Sequence, residues 1–555
     1  MDNNEFQLSE PKSNNKDIFS VAYLSMEIAL ENNIKTYAGG LGVLAGDILK
    51  SAATINYPMV GITLLSSQGY FKQRVNPSGK QIELIDRDYD FSRLKKLDNE
   101  IIVQIGREKV KVGVWQYLIN GINNFTAPVY LLDTNISGNK TAYKKLTSKL
   151  YGGNFEFRLR QEIILGRGGV KMLEALGYNN IKKFHLNEGH AAFTGVELFL
   201  NSKKIKIEDK INEVKNKCVF TTHTPIKTIY DEFPIQVILK NVSDFPYELS
   251  GLVKHRKVNT LDLGRYFAGY VNGVSKMHQQ LLTNIFSANE IKAVTNGVNS
   301  LFWTSDEFKK LYDKYSLGWR ENNELLKKIT LISSQEIWDA HQKNKKNLLN
   351  YLKINKQINW QENIFTICFA RRFTEYKQPL LLFVDVERLL DILDAGGGAQ
   401  IIFAGKAHLR DTSGQEAIRK IYKIQKKYPK FNLIFLENYN LTIAQMLVAG
   451  VDLWLNTPLP PQEACGTSGM KAAHNGVPQL STLDGWWPEG YVKDKTGWAI
   501  SGADELYEIL KKEILPLYYK APEKWREIMK NVISINASYF NTGRVIRQYI
   551  NEAYK

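Results

Sequence analysis

The chain has 555 residues, of which 44% are hydrophobic and 23% charged, and a formal net charge of +16. That length is too great for a single core and calls for two large domains of a water-soluble globular protein. No apolar run approaches bilayer length, and the cations lie along helical stretches such as HQKNKKNLLNYLKINKQ from His341, without a zinc-finger or basic–aromatic pattern, so a membrane protein and a nucleic-acid binder are both disfavoured.

The opening MDNNEFQLSEPKSNNKD is polar and acidic, unlike a secretory signal, and ordered structure is expected from about Ile18. VAYLSME (Val21–Glu27) then reads as a buried strand. YAGGLGVLAGD from Tyr37 opens a helix. Gly40-Leu-Gly42-Val-Leu-Ala45 fits the spacing of a dinucleotide fingerprint, but the preceding strand ends too far upstream for a tight first turn, and no acid closes the next strand. A glycine-lined helix N-terminus offers free amides and a positive dipole end to an anion or to sugar hydroxyls; a plain loop-to-helix entry fits equally well.

Four more apolar strands complete a first series: YPMVGITLL (Tyr57–Leu65), APVYLLD (Ala127–Asp133), KKFHLN (Lys182–Asn187) and CVFTTHT (Cys218–Thr224). HLNEGH lacks metalloprotease spacing and a third ligand, so it reads as a polar strand end presenting Asn187, Glu188 and His190 to hydroxyls, with no metal. His223 in TTHTP has two readings, a satisfied structural histidine or a side chain entering a cleft. A second series follows: NIFTICFARR (Asn363–Arg372), AQIIFAGK (Ala399–Lys406), NLIFLEN (Asn432–Asn438) and VDLWLNT (Val451–Thr457). Short, wholly apolar strands separated by helices indicate parallel sheets covered on both faces. Two doubly wound α/β domains are expected, residues 1–298 and 299–521, with a C-terminal helix over about 522–555 packing back on the first. Ligands of such folds sit at the carboxyl ends of the strands, where the polar motifs gather.

FARRFTEYK places Arg371, Arg372 and Lys377 directly after a strand. Three cations there suit one or two phosphates better than a helix start, where the dipole disfavours them. PPQEACGTSGMKAAHNGV sets Lys471 behind a glycine-rich turn. A lysine can form a Schiff base with pyridoxal phosphate, with Gly466 and Gly469 allowing close backbone approach and Thr467 available to a phosphate. Alone, such a lysine is more often a surface residue. The three cysteines, Cys218, Cys368 and Cys465, lie far apart, as expected of a reduced, cytoplasmic chain without disulfides or structural zinc.

Together and in order, YAGGLGVLAGD, VNGVSKMH, VTNGV, FARRFTEYKQPLLL, FLENYN and EACGTSGMKAAHNGV resemble the α-glucan (glycogen, starch and maltodextrin) phosphorylases, in the shorter bacterial and archaeal form. The resemblance runs from about Tyr23 to Tyr491. It implies a GT-B fold with two Rossmann-like domains around a deep cleft, and retaining phosphorolysis of an α-1,4-glucan by inorganic phosphate to glucose 1-phosphate. It also implies pyridoxal 5′-phosphate on Lys471, with the cofactor phosphate as proton relay. By position, Arg372 would bind substrate phosphate, Arg371 and Lys377 would balance both phosphates, and Thr467 and Gly466 would contact phosphate. Glu463 and Cys465 would meet glucose hydroxyls, Gly39, Gly40 and Leu41 would border the site, and Asn296 would take a sugar hydroxyl. Asn187 and His223 join them as substrate-binding candidates. Gly269 and the run Ile226–Phe233 depart from the pattern. Two rivals share much of it: a glycogen or starch synthase-like transferase, which needs no Gly-Met-Lys after its Glu-x-Cys-Gly, and an inactive glucan-binding homologue. Homo-oligomerisation stays open.

Overall fold

The computed structural model describes residues 16–86, 89–225, 231–286 and 291–555. The polar stretch before Lys16, and residues 226–230 of the divergent run, lie outside the described residues. All nine anticipated strands form, and they divide between two sheets as the two series suggested.

The second series builds a six-stranded, all-parallel sheet. Its spatial order is Leu433–Leu436, Gln400–Ala404, Thr366–Ala370, Leu453–Asn456, Gln479–Thr482 and Gly497–Ile500. The runs TICFA, QIIFA, LIFL and LWLN are buried at every position, which is why they show no alternation: helices cover both faces. Chain order reverses between Thr366–Ala370 and Leu453–Asn456, and that switch point opens a crevice at the strand ends. Arg371, just after the first of these strands, donates to the Asn456 side chain at the end of the second.

The first series forms the centre of a nine-stranded sheet, ordered Lys292–Ala293, Tyr270–Gly273, Cys218–Thr221, Lys183–Asn187, Val21–Ser25, Met59–Leu64, Thr126–Asp133, Glu108–Asn120 and Lys95–Ile105. The last two are antiparallel and extend the otherwise parallel sheet. They escape a search for buried parallel strands because Lys95–Ile105, KKLDNEIIVQI, is an edge strand with polar residues exposed along much of its length. Here the reversal falls between Val21–Ser25 and Lys183–Asn187, so Glu27 and Asn187 stand at the second switch point.

The chain crosses between the halves at two adjacent places. Val298 N–H donates to the Phe540 carbonyl (3.2 Å) and Thr542 N–H to the Val298 carbonyl (2.9 Å). Beyond that point the helix Thr542–Glu552 lies on the first half: Thr542 Oγ1 is 2.6 Å from Ser51 Oγ, and Tyr549 OH is 3.0 Å from Thr221 Oγ1. One apolar cluster spans the two halves, joining Ala29, Val43 and Val274 to Ile402, Trp454 and Trp486, with Val298 and Trp303 between them. Removing this surface from water is what holds the sheets together beneath the cleft. Two mainly parallel sheets, one from each half, are the GT-B arrangement. Among the described residues no helix is long and apolar enough to cross a membrane, and all three cysteines are free and buried.

Candidate active site

The crevice of the second sheet is floored by a compact ionic group. Arg371 leaves the strand Thr366–Ala370 with its guanidinium buried; Nη2 donates to Glu463 Oε2 at 3.1 Å and Nη1 to Asn456 Oδ1. Lys377, buried after a short turn, donates to the same Glu463 oxygen and lies 4.5 Å from the Tyr376 ring centroid. Burial and the neighbouring Arg371 push the Lys377 amine well below an ordinary lysine, while Glu463 pulls it back. Burial alone would raise Glu463; Lys377 and Arg371 outweigh it and hold the carboxylate ionised. One carboxylate thus faces two cations, and Arg371 Nε is buried with no hydrogen-bond partner among the described residues. A group with surplus positive charge and an unmet donor is built to receive an anion.

Arg372 turns the other way, into the cleft. A Cβ added to Gly39 would stand 3.4 Å from its Cδ, so the glycine-rich loop of the first domain passes directly over this arginine. That loop is held by a carboxylate that the sequence motifs did not single out. Glu27 Oε2 accepts the Ala38 and Gly39 N–H groups (2.7 and 3.1 Å), and its Oε1 accepts Tyr151 OH at 2.5 Å. Tyr151 in turn carries the Arg158 guanidinium 4.3 Å over its ring. The helix Gly40–Thr54 begins at this loop, with Gly40 exposed and Leu41 half-buried beside the opening.

The turn QEACGTSG closes the site from the opposite side. Gly466 has φ +77°, a conformation that glycine adopts without strain, and a Cβ there would stand 3.2 Å from the Glu463 carboxyl carbon. Thr467 is half-buried, and its carbonyl accepts the Lys471 N–H (3.3 Å), starting the helix Ser468–Ala473. Gly469 has no room for a side chain: its Cβ would be 1.5 Å from Gln479 Oε1. Cys465 is buried against the backbone of Asn296, and burial drives its thiol far above the ordinary range. Ser275 Oγ donates to the Ala464 carbonyl at 2.6 Å, pinning this turn to the first domain.

Lys471 is buried. Its amine lies 4.0 Å from the centroid of Trp303, and Asp47 is its acidic neighbour; Trp303 Nε1 donates to Asp47 Oδ2 at 2.7 Å. Burial lowers the amine to about 8, against the pull of Asp47. An amine with a neutral population near physiological pH could attack a carbonyl-bearing cofactor. Its place just behind the close-approach glycine turn, whose Glu463 carboxylate bonds Arg371, fits a cofactor that also carries a phosphate. Asp47 and Trp303 had no motif of their own; only folding brings them to Lys471.

Asn187 and His223 meet at the first sheet's switch point. His223 Nε2 is 2.6 Å from Asn187 Oδ1, and Asn187 Nδ2 donates to Ser25 Oγ at 2.9 Å. Burial brings the imidazole down to about 3, so it is neutral, with Nδ1 left as an acceptor. The Glu188 carboxylate accepts the His223 N–H at 2.8 Å and fixes the turn. His190 groups with Glu162 and Asp231, ligand atoms within 4.8 Å of one another. The Arg158 guanidinium is already among them, 3.2 Å from Glu162 and 3.1 Å from Asp231, and supplies the positive charge that a metal ion would bring.

A two-sheet α/β chain with a buried cluster of two cations on one carboxylate, a buried lysine of lowered basicity and a polar strand edge in its first sheet has the groups an enzyme uses to bind an anion and hydroxyls. Residues 247–489 match the family model for carbohydrate phosphorylases. The chain is 36% identical to the glycogen phosphorylase of Aquifex aeolicus, over 96% of this chain and 86% of that protein. It is 35% identical to the maltodextrin phosphorylase of Thermococcus litoralis, over 96% and 70%. It is 31% identical to an uncharacterized protein of Methanocaldococcus jannaschii, over 96% and 99%. The chain belongs to the carbohydrate phosphorylase family.

Proposed function

We propose that this protein is an α-glucan phosphorylase, a glycosyltransferase that cleaves the non-reducing end of an α-1,4-glucan with inorganic phosphate and releases glucose 1-phosphate. The observation that carries the reading is Lys471, a buried amine lowered to about 8, set just behind the Gly466 turn whose Glu463 carboxylate holds Arg371 and Lys377. Residues up to Val298, with the helix Thr542–Glu552, form the glucan side of the cleft, and residues 299–541 the phosphate side; the stretch 522–537, expected on the first domain, packs instead in the core of the second through Trp525, Ile528 and Val532. The setting is cytoplasmic.

The cofactor is pyridoxal phosphate, with Lys471 as its attachment point and Thr467, Gly466 and Arg371 around its phosphate. When bound, it supplies a phosphate group able to exchange a proton with the substrate phosphate. The chain's own residues do the rest. Arg372, under the Gly39 loop, binds the substrate phosphate, and Arg371 and Lys377 offset the repulsion of two phosphates held close together at low dielectric. Glu463 keeps those two cations in place and works against loss of the Lys377 proton. No pair of carboxylates at glycosidase spacing is needed, since a phosphate is the acid. The Gly39–Leu41 loop, Asn187, His223, Asn296 and Cys465 offer hydroxyl partners that orient the terminal sugar and keep water from the anomeric carbon.

The direct test is release of glucose 1-phosphate from maltodextrin, measured with and without phosphate. Release that needs phosphate, together with a pyridoxyl group fixed on Lys471 by borohydride, is the expected result. Glucan extension from ADP-glucose or UDP-glucose without phosphate would overturn the reading, and so would glucan binding without any release by the protein carrying its cofactor.

A further inference from the structure

The two domains are also joined across the cleft by the hairpin Lys72–Val75 and Gln81–Leu84, and the joint is made by two buried glutamines. Gln73 Nε2 donates to Gln81 Oε1 (2.8 Å) and to the Gly405 carbonyl (2.9 Å). Gln81 Nε2 donates to the Ala407 carbonyl (3.0 Å) and to Glu83 Oε1 (3.2 Å), and Gln81 Oε1 accepts the Ala407 N–H (3.1 Å). Gln73 Oε1 accepts the Asn438 N–H (2.9 Å), while Gln73 N–H donates to Asn438 Oδ1 (3.2 Å). Every side-chain polar atom of the two glutamines has a partner, and each partner outside the hairpin belongs to the second domain.

The hairpin does not need these side chains for its own ladder, which is backbone pairing. Burying two amides is costly unless each is satisfied, so their expense is set against what they hold. They hold residues 405–407, and that segment bounds the arginine turn. Arg371 N–H donates to the Ala404 carbonyl (3.1 Å), and Phe373 N–H to the Lys406 carbonyl (3.0 Å). A Cβ on Gly405 would stand 1.9 Å from the Arg371 carbonyl oxygen. Phe373, after Arg372, is therefore bonded within the segment that Gln73 and Gln81 clasp, and Arg371, before it, is bonded to the adjoining Ala404 and packed against Gly405. Lys406 adds a reverse tie, donating to the Phe71 carbonyl at 2.7 Å.

We infer that Gln73 and Gln81 are positioning residues: across the domain boundary they clasp residues 405–407 and so set where Arg372 stands in the cleft. This rests on the phosphate-binding role proposed above for Arg372. Gln73→Leu and Gln81→Leu keep the side-chain bulk and remove the bonds. In the cofactor-loaded protein each is expected to raise KM for inorganic phosphate about tenfold, with KM for maltodextrin unchanged, and to enlarge the radius of gyration in small-angle scattering. Gln73→Met and Gln81→Met, which likewise remove the bonds but carry a flexible side chain that adapts to the site, are read in their place if the leucine variants do not fold. An unchanged phosphate KM with unchanged scattering, or an equal rise in KM for both substrates, overturns the inference. If the unaltered protein releases no glucose 1-phosphate, the functional reading fails instead, and the scattering comparison alone judges the clasp.

Discussion

The Arg371 guanidinium and the Glu463 carboxylate meet at 3.1 Å in a buried crevice, although ninety-two positions separate them in the chain. Lys377 joins the same carboxylate oxygen, so Glu463 is the counter-ion that keeps two cations packed side by side before any phosphate arrives. Glu463→Gln would leave both cations facing each other and would favour loss of the Lys377 proton. The expected result is a fall in phosphorolysis of about a hundredfold or more, with pyridoxyl incorporation at Lys471 retained. Initial rates of glucose 1-phosphate release, paired with absorbance of the bound cofactor, separate the two effects.

Lys471 gives a prediction with a sign. Its amine is lowered from 10.5 to about 8, chiefly by burial, so the neutral, nucleophilic form grows as pH rises through about 8. The rate at which cofactor-free protein takes up pyridoxal phosphate should rise with pH around that midpoint and level off well below 10.5. Lys471→Ala should abolish the borohydride-fixed adduct at every pH. Mass spectrometry of the reduced protein reads both outcomes. An uptake rate still climbing steeply above pH 10 would show that the lysine is not buried as described.

Glu27 holds the loop that passes over Arg372, through the N–H groups of Ala38 and Gly39. Glu27→Gln keeps the shape but replaces an acceptor oxygen with a donor, which faces those N–H groups or leaves Tyr151 OH unmatched. The expected cost is about tenfold in kcat/KM. Tyr151→Phe should cost less, because it removes one bond from the carboxylate and leaves both loop amides held. Steady-state kinetics of the two variants tests that order.

These residues show where sequence reading succeeds and where it stops. The strands TICFA, QIIFA and LIFL were legible because full burial on both faces leaves an unbroken apolar signature. Arg371, Arg372 and Lys377 stood out because three cations at a helix start conflict with the dipole, whereas Lys471, which alone reads as a surface residue, stood out only with the other motifs, and the structure buries it. Glu27 was not, since a single carboxylate at the end of a strand looks the same whether it meets water or two amides in a later loop. Trp303 and Asp47 reach Lys471 only through the packing of the two halves, and Gln73 and Gln81 sit in a short polar hairpin whose burial depends on the opposite domain. What escaped was long-range and polar, where neither period nor propensity leaves a trace.

Asp452 tests the frame rather than the chemistry. It is buried at the start of the strand Leu453–Asn456, at the end of the sheet away from the crevice. It accepts Lys345 Nζ (2.6 Å) and the Thr366 N–H (2.7 Å) on Oδ2, and Oδ1 is 2.9 Å from His341 Nε2. Burial would raise this carboxyl, but Lys345 and His341 outweigh it and hold it below the ordinary range. A carboxylate with a lowered folded pKa contributes stability that is present above its unfolded value of about 3.8 and is lost as pH falls through the folded one. Asp452→Asn leaves the Lys345 ammonium buried without a counter-charge, at an expected cost of about 3–5 kcal/mol. Denaturant unfolding at neutral pH should show that loss, and the difference from the unaltered protein should begin to shrink below about pH 3.8, where the carboxyl of the unfolded chain takes up a proton, and disappear as pH falls through the lower folded value. Because the crevice lies at the opposite end of these strands, the folded fraction of the variant should keep its phosphate KM.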